Sequence, residues 1–327
     1  MNPRKNILLI RFKAIGEVIL TLPAVNAVRE NFPDARITFF TVRENALFLQ
    51  GFRAVDEVIA LDRAALKKPL RAAPEFFRLL KNLRAGKFSL VIDLQGYGET
   101  AWLTRLTGAR ERWGTVYGRG REWAYTRGLK RDDAMHPAAW NLFLLGECGL
   151  NLGEFKNEFH LPDAALAEAK KIFGEHNLDL SKPTLFLQPF TSSPHKNWPL
   201  ENYLALAEHF RARGAQIIFS GGPNDRAALE PARNAGFAVP GARSRLADAG
   251  LMKLSRVCVG GDTGFMHLAV ALGRRVVMLM NLSGGGSVVP FQHPDWVIAP
   301  PAGSPLAKIT VEKVIEAVAL TLDNCKK

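Results

Sequence analysis

The sequence predicts an α/β protein built from two Rossmann-like halves. Three observations predict this fold class. Short apolar, β-rich runs alternate with helical patterns along the chain, which is the rhythm of βαβ units in a mostly parallel sheet. At 327 residues with 47% apolar content, the chain is long enough for two hydrophobic cores. The apolar runs also fall into two series, which a segment with Gly, Asn and Pro separates near residue 160.

The first half is predicted to span residues 1–160. Its strands are expected at residues 6–11, 37–40, 55–61 and 88–93, because these runs are short, apolar and rich in β-branched or aromatic residues. A helix from residue 135 to about 150 is expected to close this half. We therefore predict a sheet of parallel strands covered by helices in this part of the chain.

The second half is predicted to span residues 161–327, with strands at 184–187, 215–219, 257–259 and 275–279. A last helix is expected at residues 310–322, where apolar residues repeat at helical spacing on one face. In two-domain proteins of this build such a helix can fold back on the first domain.

The charge of the chain is concentrated in one segment. The formal net charge is +12, and residues 63–131 hold 16 Lys or Arg against 5 Asp or Glu. Such a segment indicates a polyanionic partner, which is a nucleic acid, an anionic membrane surface or a phosphorylated acceptor. The alternative is a solvated basic face.

The sequence indicates a cytoplasmic chain without a transmembrane span. The first apolar run is interrupted by Arg11 and Lys13, unlike a signal peptide, and no window holds 18 uncharged apolar residues. The three cysteines, Cys148, Cys258 and Cys325, are too far apart to indicate a disulfide framework or a zinc site.

The segment 256–273 is the richest in candidate functional groups. A short apolar strand runs into two glycines, then Asp262, Thr263 and Gly264, and a helical pattern that contains His267. The free amides and the dipole of a helix's first turn attract anions, so we expect this turn to bind a phosphate. The alternative is that Asp262 and Thr263 only cap the helix and that His267 is a core residue.

Glu17 is the candidate base of the first half. It follows the first strand and lies at the start of a helical pattern, where ligands of open α/β sheets collect. It could instead only complement the helix dipole. No Gly-x-Gly-x-x-Gly follows this strand, which argues against a dinucleotide-dependent dehydrogenase.

Two further loops of the second half follow strands and precede helices. One carries Thr191, Ser192 and Lys196, which suit contact with a phosphate, and its alternative is a capped, exposed loop. The other carries Asp225, which is either a ribose ligand or a first-turn acid. Together with the 256–273 turn, these groups suit a nucleotide-diphosphate donor. The chain has no Asp-x-Asp pair to hold a divalent metal on the diphosphate, so we expect charge stabilisation from protein groups.

Taken together, these residues resemble glycosyltransferase family 9, the ADP-heptose:lipopolysaccharide heptosyltransferases. The resemblance covers nearly the whole chain and depends most on GDTGFMHL at 261–268 with ALG at 271–273. Supporting segments are residues 11–23, DLQG at 93–96, KNWP at 196–199, GGP at 221–223 and ITVEKV at 309–314.

The resemblance implies a GT-B fold, with an acceptor-binding N-terminal domain facing a nucleotide-sugar-binding C-terminal domain across a cleft. It also implies an inverting transfer that needs no metal and no cofactor beyond the co-substrate ADP-heptose. By position, Glu17 would be the base, and Lys196, with Thr191 and Ser192, would stabilise the leaving ADP. The remaining donor contacts would be made by Asp225, Asp262, Thr263, Gly264 and His267.

The acceptor implied by the resemblance is phosphorylated, Kdo-bearing lipid A at the inner face of the cytoplasmic membrane. This gives the basic segment a role, in which the candidate acceptor contacts are Arg63, Lys67, Lys68 and Arg71. It also implies that the protein attaches peripherally to the inner membrane. The stretch 74–84 is amphipathic, and it either lies on lipid or is a core-facing helix with a basic outer side.

Two segments of the sequence depart from the family pattern. Glu17 stands where the family often has Asp, and residues 280–286 replace its usual Gly-Pro-Thr type of loop, which leaves the donor sugar open. The alternatives are a transferase that uses another nucleotide sugar or glycan acceptor and, in another class, a basic nucleic-acid-binding protein. No nucleic acid is expected as a partner, because no recognisable nucleic-acid motif is present.

Overall fold

The computed structural model describes residues 5–118, 120–282 and 288–323, and residues 69–71 and 323 are described without their side chains. The chain divides into two compact units, residues 1–160 and residues 161–327. Each unit is an α/β layer structure with its own parallel sheet. The predicted fold class, α/β with two Rossmann-like units, is confirmed.

The first unit contains six strands. Its elements are β1 (Asn6–Ile10), α1 (Ile15–Ile19), α2 (Leu22–Asn31), β2 (Arg36–Val42), α3 (Arg43–Ala46), β3 (Glu57–Leu61), α4 (Arg63–Leu66), α5 (Pro69–Ala85), β4 (Leu90–Asp93), α6 (Gly98–Leu106), β5 (Glu111–Val116), β6 (Arg127–Lys130) and α7 (Pro137–Glu147). The strand order is β3-β2-β1-β4-β5-β6, and every pair is parallel.

The second unit contains five strands. Its elements are α8 (Asp163–Glu175), β7 (Thr184–Gln188), α9 (Leu200–Arg211), β8 (Gln216–Phe219), α10 (Glu230–Asn234), α11 (Arg245–Leu254), β9 (Val257–Gly261), α12 (Gly264–Ala271), β10 (Arg275–Leu279), β11 (Val297–Ile298) and α13 (Val311–Asp323). The strand order is β11-β10-β9-β7-β8, again parallel throughout.

The central strands are apolar along their length because helices cover both faces of a parallel sheet. In β1 the four residues from Ile7 to Ile10 are all fully buried. The register pairs Ile10 of β1 with Asp93 of β4, and Gln188 of β7 with Gly260 of β9. The loops that follow these strands are therefore neighbours within each unit, and they carry most of the candidate site residues.

The final helix, α13, packs inside the second unit. Its Val314 and Val318 are fully buried in the same apolar cluster as Leu185 and Phe210, and it contacts α9, β9 and β10. This apolar face is therefore part of the second unit's own core.

The side of helix α5 that carries Leu79 and Leu83 faces the core of the first unit. Leu79 and Leu83 are buried against Leu8 and Val91 of the first sheet. Of the two sequence interpretations of the stretch 74–84, the core-facing helix holds for Leu79 and Leu83, whereas Phe76 of the same stretch is 42% exposed. Among the helices of the described ranges, none is both long enough and apolar enough to cross a bilayer.

Candidate active site

The turn between β9 and α12 holds a cluster of charged and polar side chains. Thr263 is the N-cap of α12, and its hydroxyl accepts a hydrogen bond from the amide of Met266. This cap leaves the other first-turn amides, including that of Gly264, at the positive end of the helix. Asp262 precedes the cap, and His267 is 4% exposed one turn further into the helix.

Asp262 is held by two basic side chains. Lys196 Nζ lies 3.1 Å from Oδ2 of Asp262, and His267 Nε2 lies 3.5 Å from Oδ1. Burial by itself raises the pKa of this carboxyl, but the hydrogen bond and charge of His267 and the charge of Lys196 outweigh burial, so the pKa lies below its ordinary value. Asp262 is therefore an ionised carboxylate that fixes the position of Lys196.

Lys196 belongs to the loop after β7, and this loop is rigidly tied. The amide of Thr191 donates to Asn197 Oδ1 at 2.8 Å, and the Thr191 hydroxyl donates to the carbonyl of Ser193 at 2.8 Å. Trp198 is buried, with its indole N–H donating to the carbonyl of Ile309. The neighbouring Ser192 is exposed. The structure thus brings Thr191, Ser192 and Lys196 to the same strand edge as Asp262.

Gly261 makes this proximity possible. A Cβ at this position would lie 2.7 Å from Thr191 Cγ2 and 3.0 Å from the carbonyl oxygen of Lys196. A hydrogen is the only substituent that fits, so the glycine lets the β7 loop lie directly on the end of β9.

A cavity of about 550 Å³ opens at the carboxyl ends of β7 and β8 and reaches the first turn of α12 at Phe265, whereas Lys196 and Asp262 do not line it. Its size is in the range of small-molecule sites. The walls come from the loop after β8, from the segment before α11 and from the first turn of α12, including Gln188, Ser220, Gly222, Pro240, Arg243 and Phe265. All of these residues lie in the second unit.

Arg243 ties two walls of the cavity together. Its guanidinium donates to Asp248 Oδ1 at 2.7 Å, to Ser220 Oγ at 2.7 Å and to the carbonyl of Pro240 at 2.7 Å. Burial raises the pKa of Asp248, and the charge of Arg243 offsets only part of this. This network was not predicted from the sequence. A signal was present, because Asp248 is an acid among the small apolar residues of α11.

Asp225 plays a local part in the loop after β8. Its Oδ2 accepts a hydrogen bond from the amide of Gly222 at 2.7 Å, which closes the short 3₁₀ turn Pro223–Asp225. Gly221, Gly222 and Pro223 line the cavity on the neighbouring side. Its ribose contact stays a prediction.

In the first unit, Glu17 lies on α1 and is paired with a buried arginine. Arg11 NH2 lies 2.8 Å from Glu17 Oε2, and Arg11 NH1 donates to the carbonyl of Leu94. The side chain of Arg11 is 7% exposed, whereas that of Glu17 is 36% exposed. One carboxylate oxygen is therefore turned inward to the guanidinium.

The loop between β1 and α1 is held by the turn after β4. Gln95 Oε1 accepts hydrogen bonds from the amides of Phe12 and Lys13, both at 3.1 Å. Asp93 shapes that turn by accepting from the amides of Gln95 and Gly96, and its own burial raises its pKa. The sequence motif DLQG was noticed only as part of the resemblance, and these contacts give it a structural role.

Ala14 closes this loop with a φ of 34°. A positive φ is costly for a residue with a Cβ and persists only where the surroundings impose it. The residue immediately before α1 is thus held in a strained conformation three positions from Glu17.

The predicted acceptor contacts whose side chains are described lie on α4 and at its end. Arg63 forms an ion pair with Glu99, and its guanidinium lies over the ring of Phe12 at 5.6 Å. Lys67 and Lys68 are exposed at the end of α4. The side chain of Arg71 lies outside the described side chains, and of the loop at 281–286 only Asn281 and Leu282 lie within the described residues.

The described residues contain no group of three or more His, Cys, Asp or Glu side chains placed to hold a metal ion. The charges at the second unit's cluster come from Lys196, Asp262 and the first turn of α12. Such an arrangement can bind a diphosphate through an ammonium group and backbone amides.

Comparisons with known proteins agree on one family. The family model described as glycosyltransferase family 9 (heptosyltransferase) matches residues 76–297. Lipopolysaccharide heptosyltransferase 1 of Pseudomonas aeruginosa is 28% identical over 295 residues, which is 86% of this chain and 79% of that protein.

Two solved structures show the same fold. A glycosyl transferase family 9 protein from Veillonella parvula superposes with a TM-score of 0.87 at 21% identity, covering 99% of both chains. The E. coli heptosyltransferase WaaC, solved with ADP, superposes with a TM-score of 0.75 at 20% identity, covering 97% of this chain and 98% of that one.

Proposed function

The chain belongs to glycosyltransferase family 9, an enzyme family, and from this premise we propose that it moves heptose from ADP-heptose to the inner core of lipopolysaccharide. The observation that carries the proposal is the ion pair between Lys196 and Asp262 at the start of α12, beside a cavity of about 550 Å³. A relative of this fold, E. coli WaaC, is a heptosyltransferase solved with ADP.

We propose that the second unit binds the donor. The cavity takes the nucleoside, and the diphosphate lies toward Thr263, Gly264 and Lys196, where amides and an ammonium group offer positive charge. Asp262 holds Lys196 by one oxygen and faces His267 with the other. In this arrangement His267 orders Asp262, Asp262 holds sugar hydroxyls, and Thr191 and Ser192 supply further phosphate contacts.

We propose that Glu17 is the general base. It accepts the proton of the acceptor hydroxyl while that oxygen forms a bond to the anomeric carbon and the bond from this carbon to the ADP oxygen breaks. Attack opposite the leaving group inverts the configuration. Arg11 holds Oε2, so Oε1 is the oxygen that takes the proton. A positioned base contributes about 10²–10⁴-fold to the rate.

We propose that Lys196 and the amides of α12 stabilise the negative charge that develops on the departing ADP. Preorganised charge of this kind commonly supplies about 2.7–4 kcal/mol per donor in other enzymes. On this proposal the transfer needs no divalent metal, because the protein provides the positive charge itself.

The acceptor that we propose is phosphorylated, Kdo-bearing lipid A or its heptosylated form. The excess of positive charge between residues 63 and 131 supports an anionic acceptor bound to the first unit, with Arg63, Lys67 and Lys68 at hand. Because lipid A is anchored in a bilayer, we further propose that the enzyme works in the cytoplasm at the inner membrane's cytoplasmic face, with no nucleic acid among its partners.

The test of the donor is isothermal titration with ADP, ADP-heptose, UDP and UDP-sugars in the presence of a chelator. We expect ADP-heptose to bind selectively, and Lys196→Ala and Asp262→Ala to weaken binding at least about tenfold. Lys171→Ala is the matched control, because Lys171 is an exposed lysine of α8 paired only with Glu175 in its own helix. Preference for UDP, or no nucleotide binding, would refute the proposal.

The test of the base is transfer measured by mass spectrometry with Glu17→Gln and Glu17→Asp. The amide cannot accept the proton, so we expect Glu17→Gln to lose about 10²–10⁴-fold in kcat with ADP affinity unchanged. Glu17→Asp keeps the carboxylate and should retain measurable transfer. Full activity of Glu17→Gln would remove Glu17 from this role.

A further inference from the structure

Two tryptophan rings lie together on the surface of the first unit. Trp102 of α6 is 60% exposed and Trp123, in the 3₁₀ turn Glu122–Ala124, is 43% exposed, with ring centroids 4.5 Å apart. Tryptophan is usually highly buried, and a contiguous exposed apolar patch marks an interaction surface. Neither residue belongs to the proposed catalytic groups.

A second aromatic pair lies on the neighbouring helix. Phe76 and Phe77 of α5 have ring centroids 6.2 Å apart, and Phe77 is 67% exposed. Helices α5 and α6 touch each other and cover the same face of the first sheet, because Leu79, Leu83 and Leu103 share one buried cluster. The outer sides of both helices therefore face away from the sheet on the same side of the unit.

Basic side chains accompany these rings. Arg105 is one turn from Trp102 on the outer stripe of α6. Lys81 and Arg84 lie four and seven residues after Phe77 on α5, and all three basic side chains are exposed. The acid of the α6 stripe, Glu99, is paired with Arg63. Exposed aromatic rings beside lysine and arginine form the composition found at the interface of a membrane, where rings insert at headgroup level and cations meet anionic lipids.

We propose that this aromatic patch, defined as Phe76, Phe77, Trp102 and Trp123 with their flanking basic residues, seats the first unit on the surface of an anionic bilayer. The charge selects this occupant. A second copy of the chain would bring like charges together across an isologous contact, whereas an anionic lipid surface complements them. This proposal rests on the proposed function in one respect, which is that the enzyme acts at a membrane.

The test is binding of the full-length protein to vesicles, measured by co-sedimentation without donor or acceptor. We expect binding to vesicles of phosphatidylglycerol and phosphatidylethanolamine, weaker binding at high salt and little binding to phosphatidylcholine alone. Trp102→Ala with Trp123→Ala should lower the partition coefficient at least about tenfold. The matched control is Leu320→Ala, which removes a side chain of 67% exposure from the second unit.

Two further variants keep the test decisive. Trp102→Gln, at the more exposed ring, replaces the double variant if that one does not fold. Arg84→Glu with Arg105→Glu should lower binding to anionic vesicles while binding to phosphatidylcholine stays low. Binding that is equal in wild type and all these variants overturns the proposal, and so does a wild-type dimer that the tryptophan variants dissociate without a change in lipid binding.

The proposed function and the proposed lipid-binding surface can be refuted independently of each other. ADP binding by calorimetry and transfer to a detergent-solubilised acceptor do not involve the aromatic patch, so the tryptophan variants should keep both. If the wild type binds anionic vesicles but not ADP-heptose, the proposed donor is wrong and the lipid-binding surface stands.

Discussion

Gly261→Ala should damage the proposed donor site, although Gly261 is not itself a proposed ligand. The added Cβ would lie 2.7 Å from Thr191 Cγ2 and 3.0 Å from the Lys196 carbonyl, whereas carbon atoms in contact are about 3.5–4.0 Å apart. The Thr191 side chain must therefore shift by about 1 Å, and the Lys196 carbonyl by a few tenths of an ångström. Overpacking of this kind costs about 1–3 kcal/mol of stability.

The larger effect should be on function. A displacement of about 1 Å in a positioning element can cost about 10²-fold in rate. Because Lys196 and Thr191 move with this loop, we expect ADP affinity and kcat/KM to fall by about 10–100-fold. The assays are calorimetric titration with ADP and initial rates of heptose transfer, both below the unfolding temperature of the variant.

Two glycine variants separate loss of geometry from loss of stability. Gly51→Ala forces a Cβ to 2.2 Å from the Phe159 ring in the first unit, so it should destabilise that unit while ADP affinity stays at the wild-type value. Gly174→Ala, on α8 with nothing within 4 Å, should be neutral or slightly stabilising. Wild-type ADP affinity in Gly261→Ala would refute the reasoning that this glycine sets the site.

Two further predictions concern titratable groups. The pKa of Asp262 is lowered from its ordinary value of 3.8, so its ion pair stabilises the fold above that pH and the contribution is lost as pH falls through the lower folded value. Urea unfolding should show wild type more stable than Asp262→Asn by about 1–2 kcal/mol at pH 7, with the difference vanishing at acid pH; a constant difference would contradict the pairing. Burial raises the pKa of Cys148 to about 11 and that of Cys258 to about 12, so in a Cys325→Ser variant neither thiol should react with a disulfide reagent at pH 8 until guanidinium unfolds the protein. Rapid reaction of the native variant would show that one of the two is accessible.

Much of the fold followed from the sequence because strands buried on both faces are continuously apolar. This pattern located β1, β4, β7 and β10 to within a few residues. It missed β5 and β6, whose sequences ERWGTV and RGLK mix charges and glycines with few apolar residues. The edge strand β6 is mostly exposed, whereas β5 buries Trp113 to Val116 despite this composition. Helical spacing identified α5 and α13, but spacing alone does not say which surface an apolar face meets.

The site was predictable where a motif fixes local geometry. The GDTGFMHL segment specified a strand, a capped turn and a helix, and the family that it indicated is confirmed. The cluster around Arg243 was not predicted, because the fold brings Ser220 and Asp248 together with it, and the one signal in the chain, the acid Asp248 in an apolar helix, does not indicate its partners. The same holds for the pairing of Arg11 with Glu17 and for the contact between the two tryptophans.

The hydrogen bonds that Gln95 accepts from the loop before α1 affect when this part of the site can form during synthesis. The amides of Phe12 and Lys13 depend on an acceptor 82 or 83 positions later in the chain, and Arg11 depends on the carbonyl of Leu94. A nascent chain that has emerged only as far as β3 therefore contains Glu17 but not the contacts that orient it. The proposed base becomes organised when β4 enters the sheet beside β1, a step that joins segments far apart in sequence and is correspondingly slow. Until the centre of the first sheet is complete, a nascent chain thus carries the proposed base Glu17 without the contacts that position it.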